Sequence, residues 1–295
     1  MAQFTSYDTV GAKEDVSDII TNITPTDTPF TSSIRTEKVN ARTFSFQEDT
    51  LAAAADNKLV EGATLSEATR SPTSLLSNVT QILSKTFQVS ATADAIATYG
   101  RAKETAYQLA KVLAEIKRDL EFAYVGQDNA SVAGNSSTAR EMNSFSQFIH
   151  ADVSTTTDSD AGTGGNQAGP ITEANLLTTS EALYNHGGLP TMLMVSPSKA
   201  QTIAGFATAT GRERDFGTGT TLVNVVDVMV TPYNTMKLVL NRHMLTDRVF
   251  LIDPTYVRSM VLRPFARTLL AKTSDSDVHS VVGEYSLKVM NGRSQ

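Results

Sequence analysis

Residues 98–124 read TYGRAKETAYQLAKVLAEIKRDLEFAY, and Ala106, Leu109, Leu113, Ile116, Leu120 and Ala123 recur there at alternating spacings of three and four. That period gathers the apolar side chains on one helical stripe, with Lys103, Lys111, Glu115, Arg118, Asp119 and Glu121 mostly off it. At about 1.5 Å of rise per residue the segment would make a rod of about 40 Å. About three heptads are too few for a sustained coiled coil, so a long amphipathic helix lying across a sheet is expected.

Upstream of this helix the chain changes character twice. Residues 1–40 show no sustained period and end in TPTDTPF (Thr24–Phe30), where Pro25 and Pro29 impose extended or turn geometry, so they read as an arm. Two alternating runs follow, at 42–48 with Phe44 and Phe46 in one parity, and at 79–89 with Val79, Leu83, Phe87 and Val89 in one parity. They are expected to pair as a hairpin with a very long tip, Asp49–Pro72. The tip is Ala-rich and polar and cannot build its own core. Ordering its 24 residues would cost on the order of 24–48 kcal/mol of backbone entropy, so docking on a neighbouring subunit is one expected fate for it.

Downstream, residues 151–169 hold four glycines and almost nothing apolar, as a surface connection would. An α/β unit then begins. Pro170 and Thr172 open a helix with Leu176, Leu177, Leu183 and Tyr184, which Gly187-Gly188 should end. The strand Thr191–Val195 runs into Ser196-Pro197, an expected N-cap and first-turn proline for a helix carrying Ala200, Ile203, Ala204 and Phe206. From Thr221 the chain is β-rich: LVNVVDVMV, MKLVL, VFLID, the short runs YVRSMVL and FARTLLA, and a last strand. In that strand Val281, Tyr285, Leu287 and Val289 alternate with Ser280, Glu284, Ser286 and Lys288, which predicts one solvated face.

The 295 residues are 40% hydrophobic and 19% charged, with a net charge of -6 and no cysteine. A core of about two domains' worth is available, and disulfides and thiolate metal sites are excluded. The acidic balance argues against a dedicated nucleic-acid binder. No basic-then-apolar leader or apolar run of membrane-spanning length is visible, so a soluble product made in the cytoplasm, with no membrane partner, is expected. Catalytic chemistry finds no purchase. GTGGNQAG (Gly162–Gly169) follows a linker where a phosphate loop would follow a strand, and GTGTT (Gly217–Thr221) lacks the lysine of such a loop. His150, His186, His243 and His279 have no ligand spacing, and the pairs Asp158/Asp160 and Asp275/Asp277 lie in polar stretches that would not tune a general acid. No cofactor and no enzymatic role are expected. Arg212 and Arg214, around Glu213 and Asp215, read as a solvated or intersubunit loop.

The arm SYDTVGAKEDVSDIITNITPTDTPF, the LVEGA of the long loop and the C-terminal VFLIDPTYVRSMVLRPFARTLLAKTSDSDVHSVVGEYSLKVMN resemble the major capsid proteins of tailed bacteriophages and prophages. The resemblance spans nearly the whole chain and implies the α+β Hong Kong 97-type capsid fold. Its parts would be an N-terminal arm (1–40), an extended β-hairpin loop (41–92), a peripheral domain (93–150) with the spine helix 98–124, an axial domain (151–245), and strands (246–295) returning to the core. It implies a structural head protein whose partners are copies of itself in hexamers and pentamers, a separate scaffold, a portal and decoration proteins. The shell would enclose double-stranded DNA without sequence-specific binding and be assembled in the bacterial cytoplasm. Pro25, Asp27, Pro29, Phe30, Lys58, Glu61, Arg212 and Arg214 are the expected intersubunit contacts. Some shells of this fold carry a covalent Lys to Asn cross-link, and Lys58 lies in the tip, although a lone loop lysine is far more often simply solvated. An encapsulin-like cargo shell, a tail or decoration protein and an unrecognised soluble enzyme are the competing readings.

Overall fold

The computed structural model describes residues 24–64, 72–96, 99–100, 102–150, 153, 171–209, 227–272 and 274–295. The helix read at 98–124 is α3, Glu104–Val125. It starts later than its period suggests because Gly100 takes φ +75°, a left-handed step that no helix continues through. Before it come α1 (Pro29–Ser33), β1 (Arg35–Lys38), β2 (Thr43–Glu48), β3 (Ser74–Val79), β4 (Gln81–Ser90) and α2 (Ala91–Ala95). After it come α4 (Glu173–Asn185), β5 (Met192–Val195), α5 (Pro197–Ala209), β6 (Val228–Val230), β7 (Thr235–Leu240), β8 (Val249–Ile252), β9 (Val257–Leu269) and β10 (Ser276–Val289).

Strands β1, β9, β10 and β4 form one sheet in that order, and α3 lies across it. Val112 and Ile116 pack on Val281, with half-buried Leu109, Leu113, Leu83, Phe87 and Phe265 around them. Further along, Leu120, Ala123 and Tyr124 meet Val257, Leu287 and Val289. The helix is also tied to β4 by Lys85, whose ammonium lies 3.4 Å from Glu115 and 3.0 Å from Asp119.

A second sheet has the order β6-β7-β5-β8. Its strand β5 is buried at every position, because its two faces serve different cores. Met192 and Met194 point with Phe250 and Ile252 into the core under α3. Leu193 and Val195 point with Leu251 into the core of α4 and α5, beside Leu176, Leu183, Ile203 and Met236. Thr172 caps α4 by accepting from Asn175 N, and Gly188 N returns to Leu183 O where the glycine pair ends it, both as the sequence predicts.

Three expectations are corrected. The hairpin partner of β2 is β3, with Thr43 opposite Val79 and Glu48 opposite Ser74; β4 leaves the hairpin and pairs with β10. The alternation at 79–89 records the packing of β4 on α3, and Thr80 is the joint where the chain passes from one sheet to the other. Second, the runs YVRSMVL and FARTLLA are one strand, carried past Pro264 by a bulge opposite Gly283. A Cβ on Gly283 would stand 2.4 Å from Cδ1 of Phe265, so the ring occupies the space a side chain would need. Third, β10 has no solvated face: Ser280, Glu284 and Ser286 are buried, because β10 is a central strand with α3 on one side and the hairpin base on the other.

Replacing Ile116 (1% exposed) with alanine should cost about 2–5 kcal/mol, whereas the same change at half-buried Leu113 should cost clearly less. Urea unfolding of the two variants measures the difference, and equal losses would place the packed stripe of α3 elsewhere.

Candidate functional site: the arm seat and the hairpin

Prolines 25 and 29 bracket a turn that delivers a single turn of helix, α1, onto the flank of α3. Two carboxylate oxygens receive it. Glu121 Oε1 accepts from Phe30 N at 2.7 Å, and Oε2 accepts from Thr31 N at 2.8 Å and from Thr31 Oγ1 at 2.5 Å. Asn241, just past β7, donates its Nδ2 to the same Oε1 at 2.7 Å. The carboxylate is fully buried, and it meets the unpaired N–H groups at the start of α1, where negative charge is favoured. Each charge-assisted bond of this kind contributes about 1.5–3 kcal/mol.

Below the carboxylate, Phe30 is itself fully buried. Its ring meets Tyr124 edge-on at 5.8 Å and Phe145 at 5.4 Å, and Phe145 meets Phe250 at 5.1 Å. Burial pushes the Tyr124 phenol well above its usual range, against the opposing hydrogen bond with Ser259. Its hydroxyl shares a 2.7 Å bond with Ser259 Oγ and donates to Ser286 O, so α3 is fixed to both β9 and β10. Beyond this seat β1 pairs with β9 along its length, and the arm's other side-chain holds are lighter. Arg118 donates to Pro25 O at 3.4 Å, and Arg242 lies 3.9 Å from Asp27 in an exposed pair.

At the hairpin base the organising group is Glu284, also buried. It accepts from Thr80 Oγ1 (2.7 Å), Arg140 Nη2 (2.6 Å) and Arg263 Nε (3.0 Å). Thr80 N donates to Arg42 O at 2.9 Å, so the two chain ends entering the hairpin are joined at this point. Asn78 adds a bond from Nδ2 to Leu287 O. Burial alone would raise the Glu284 carboxyl, but the Thr80 bond and the two guanidinium groups outweigh it and hold it below its ordinary 4.5.

The tip contrasts with this base. Leu51, Leu59 and Val60 are 95%, 64% and 81% exposed. A turn at Gly62, where Ala63 N bonds to Val60 O, and an exposed Lys58–Asp56 pair at 2.5 Å lie within the tip itself.

Of the expected contact residues, Pro25, Asp27, Pro29 and Phe30 come together in the arm segment, with Phe30 inside its own chain's core and Asp27 exposed. Lys58 and Glu61 lie exposed on the hairpin tip. Arg212 and Arg214 lie outside the described residues, as do the two glycine-rich stretches and the pair Asp158/Asp160. Glu121 and Asn241 were missed by the sequence reading. The nearest signal for Glu121 was the apolar Phe-Ala-Tyr-Val that follows it, although Phe122 itself is exposed. Among the described residues no group of three or more His, Asp or Glu is placed to hold a metal ion, and no helix is long and apolar enough to cross a membrane.

Glu121→Gln keeps the size of the side chain but turns an amide toward donors. It should lower stability by about 3 kcal/mol, within the range for leaving buried donors unpaired, and should expose Arg35 and Lys38 to trypsin sooner than in the wild type; unchanged cleavage would mean the arm is held by other contacts. For Glu284 the folded carboxyl lies below its unfolded value, so its contribution is complete above about pH 4.5 and is lost as pH falls through the lower folded value. Thermal melts from pH 6 to pH 2.5 should therefore fall more steeply for the wild type than for Glu284→Gln, and parallel slopes would remove Glu284 from the acid response.

In sequence and in fold the chain is similar to known capsid proteins. The family model described as SU10 major capsid protein matches residues 3–294. The chain is 33% identical over 331 aligned positions to the major capsid protein of Escherichia phage Phieco32, covering 98% of this chain and 94% of that protein. Among solved structures, the capsid asymmetric unit of Cyanophage A-1(L) superposes with a TM-score of 0.70 at 10% identity, covering 95% of this chain and 94% of that one. The capsid of a native GTA particle gives 0.65 at 10% identity, covering 98% and 95%. At those identities the structures speak for the fold, the Hong Kong 97-type capsid fold, and the sequence matches speak for the family: this chain belongs to the SU10 major capsid protein family.

Proposed function

We propose that the shell is built from hexamers and pentamers of this chain, in which the hairpin tip of each subunit is ordered on its neighbour. The supporting observation is the tip itself. Leu51, Leu59 and Val60 stand almost bare on a loop whose base is held by a buried ionic network. At about 25 cal/mol per Å² of apolar surface removed from water, covering three such side chains contributes several kcal/mol. That gain offsets the ordering cost of the tip when a second subunit supplies the cover.

Head-to-tail contacts of this kind close into rings when the rotation between subunits divides a full turn, and an icosahedral shell larger than the smallest uses five-membered rings at its vertices and six-membered rings between them. The work is structural: position and closure, with no reaction step. A separate scaffold, a portal and decoration proteins are the further partners of this reading, with double-stranded DNA as the enclosed cargo, no membrane partner, and assembly in the bacterial cytoplasm. An overall acidic subunit suits a container whose wall must not retain the DNA entering it.

Protein expressed alone and concentrated should give shells or rings in negative-stain electron microscopy. Shortening the tip to a two-residue Asn-Gly turn between Glu48 and Ser74 should abolish them while leaving a folded subunit by circular dichroism. Rings that persist without the tip would overturn the hairpin as the tie.

A further inference from the structure

Arg35, Arg258 and Lys288 stand in one cross-strand row: Arg35 is in register with Arg258 on β9, and Arg258 with Lys288 on β10. With strands about 4.8 Å apart, three cations lie within about 10 Å on one face, the face away from α3, since the neighbouring Ser259 and Leu287 point toward Tyr124. Like charges directly opposite one another destabilise a sheet. Among the described residues this row is answered by one carboxylate, Glu37, 3.6 Å from Lys288. Lys288 also lies 5.8 Å from the centre of the Phe46 ring, and Arg258 Nη1 turns to the carbonyls of Val257 (3.0 Å) and Pro254 (3.5 Å). Among the described residues neither Arg35 nor Arg258 forms an ion pair, and Glu37, on the same face of β1 as Arg35, is engaged with Lys288.

The complementary charge is on the same chain. Asp49–Pro72 carries Asp49, Asp56, Glu61 and Glu67 against Lys58 and Arg70, and Lys58 is taken up by Asp56. The base of the chain's own hairpin already covers the neighbouring part of this face through Phe46, and Glu48, at the root of the tip, lies by Gly292 N. We propose that the row Arg35, Arg258 and Lys288 seats the acidic hairpin tip of a second copy. The inference rests on the reading that the tip docks on a neighbour, and names the surface that receives it. Charge complementarity would set the register of docking, and the exposed Leu51, Leu59 and Val60 would supply the buried area.

The test is a charge exchange. Arg35→Glu, on an exposed edge strand, should lower the yield of shells or rings about tenfold, and Asp56→Lys with Glu61→Lys should do the same. Combining the three changes should restore assembly to within about threefold of the wild type. Arg258→Glu is a second route to the same outcome if its fold is intact by circular dichroism. A combined variant that assembles no better than the weaker parent, with wild-type shells present, overturns this seat and leaves the hairpin reading standing. Shells or rings that persist when the tip is shortened overturn the hairpin reading on which the proposal rests. If Arg35→Glu assembles normally without nucleic acid but loses affinity for a 30-base-pair DNA duplex, the row serves a polyanion and the proposal fails.

Discussion

Glu121, a buried carboxylate with no cationic partner among the described residues, is the point at which three parts of this chain meet. Its donors come from the arm (Phe30 and Thr31) and from the turn after β7 (Asn241), while the carboxylate itself rides on α3. Asn241 is fully buried as well, with its Nδ2 also near Met194 Sδ at 3.3 Å and its Oδ1 accepting from His243 N at 2.8 Å. Taking an ion out of water costs several kcal/mol, and hydrogen bonds of good geometry recover that cost only when all of them form together. The arm seat, the long helix and the second sheet are therefore coupled: loosening any one leaves the same carboxylate underbonded.

That coupling matters because the two sheets otherwise meet mainly through apolar packing. Strands β5 and β8 form a wall between two cores, with Met192, Met194, Phe250 and Ile252 on one side and Leu193, Val195 and Leu251 on the other. Apolar packing is tolerant of small sliding movements, whereas hydrogen bonds to a fixed carboxylate are not. Packing holds the sheets together and Glu121 fixes their register. A shell protein used in many copies needs both, since small angular errors accumulate around a ring.

The sequence was most legible where burial is periodic on one face. The stripe of α3 was visible from Leu109 to Ala123, and the α/β punctuation around Thr172, Gly187 and Pro197 was visible because caps and breakers act within a few residues. It was least legible where tertiary structure covers both faces. The serines and Glu284 of β10 look like a solvated face, yet they are buried under the hairpin base, where Ser286 Oγ donates to Val79 O and Glu284 is bonded by Thr80 and two arginines. Likewise β4 alternates as well as any hairpin strand, and periodicity records which face is buried without naming the strand beside it. Phe30 was legible as a notable residue of the arm, but its place in this chain's own core depends on Glu121, some 90 positions away.

The two ends of the hairpin divide the energetics in a way that suits assembly. At the base, Thr80, Asn78 and Glu284 fix the angle at which β2 and β3 leave the sheet, and the ionic part of that network is fully engaged within the subunit. At the tip, Leu51, Leu59 and Val60 are exposed. A loop that was flexible at its root would lose entropy along its whole length on docking, whereas a fixed root confines that loss to the tip residues. Rigidity at the base thus makes a bare tip tolerable: the subunit folds without committing the tip, and the contact that orders it is aimed before the neighbour arrives.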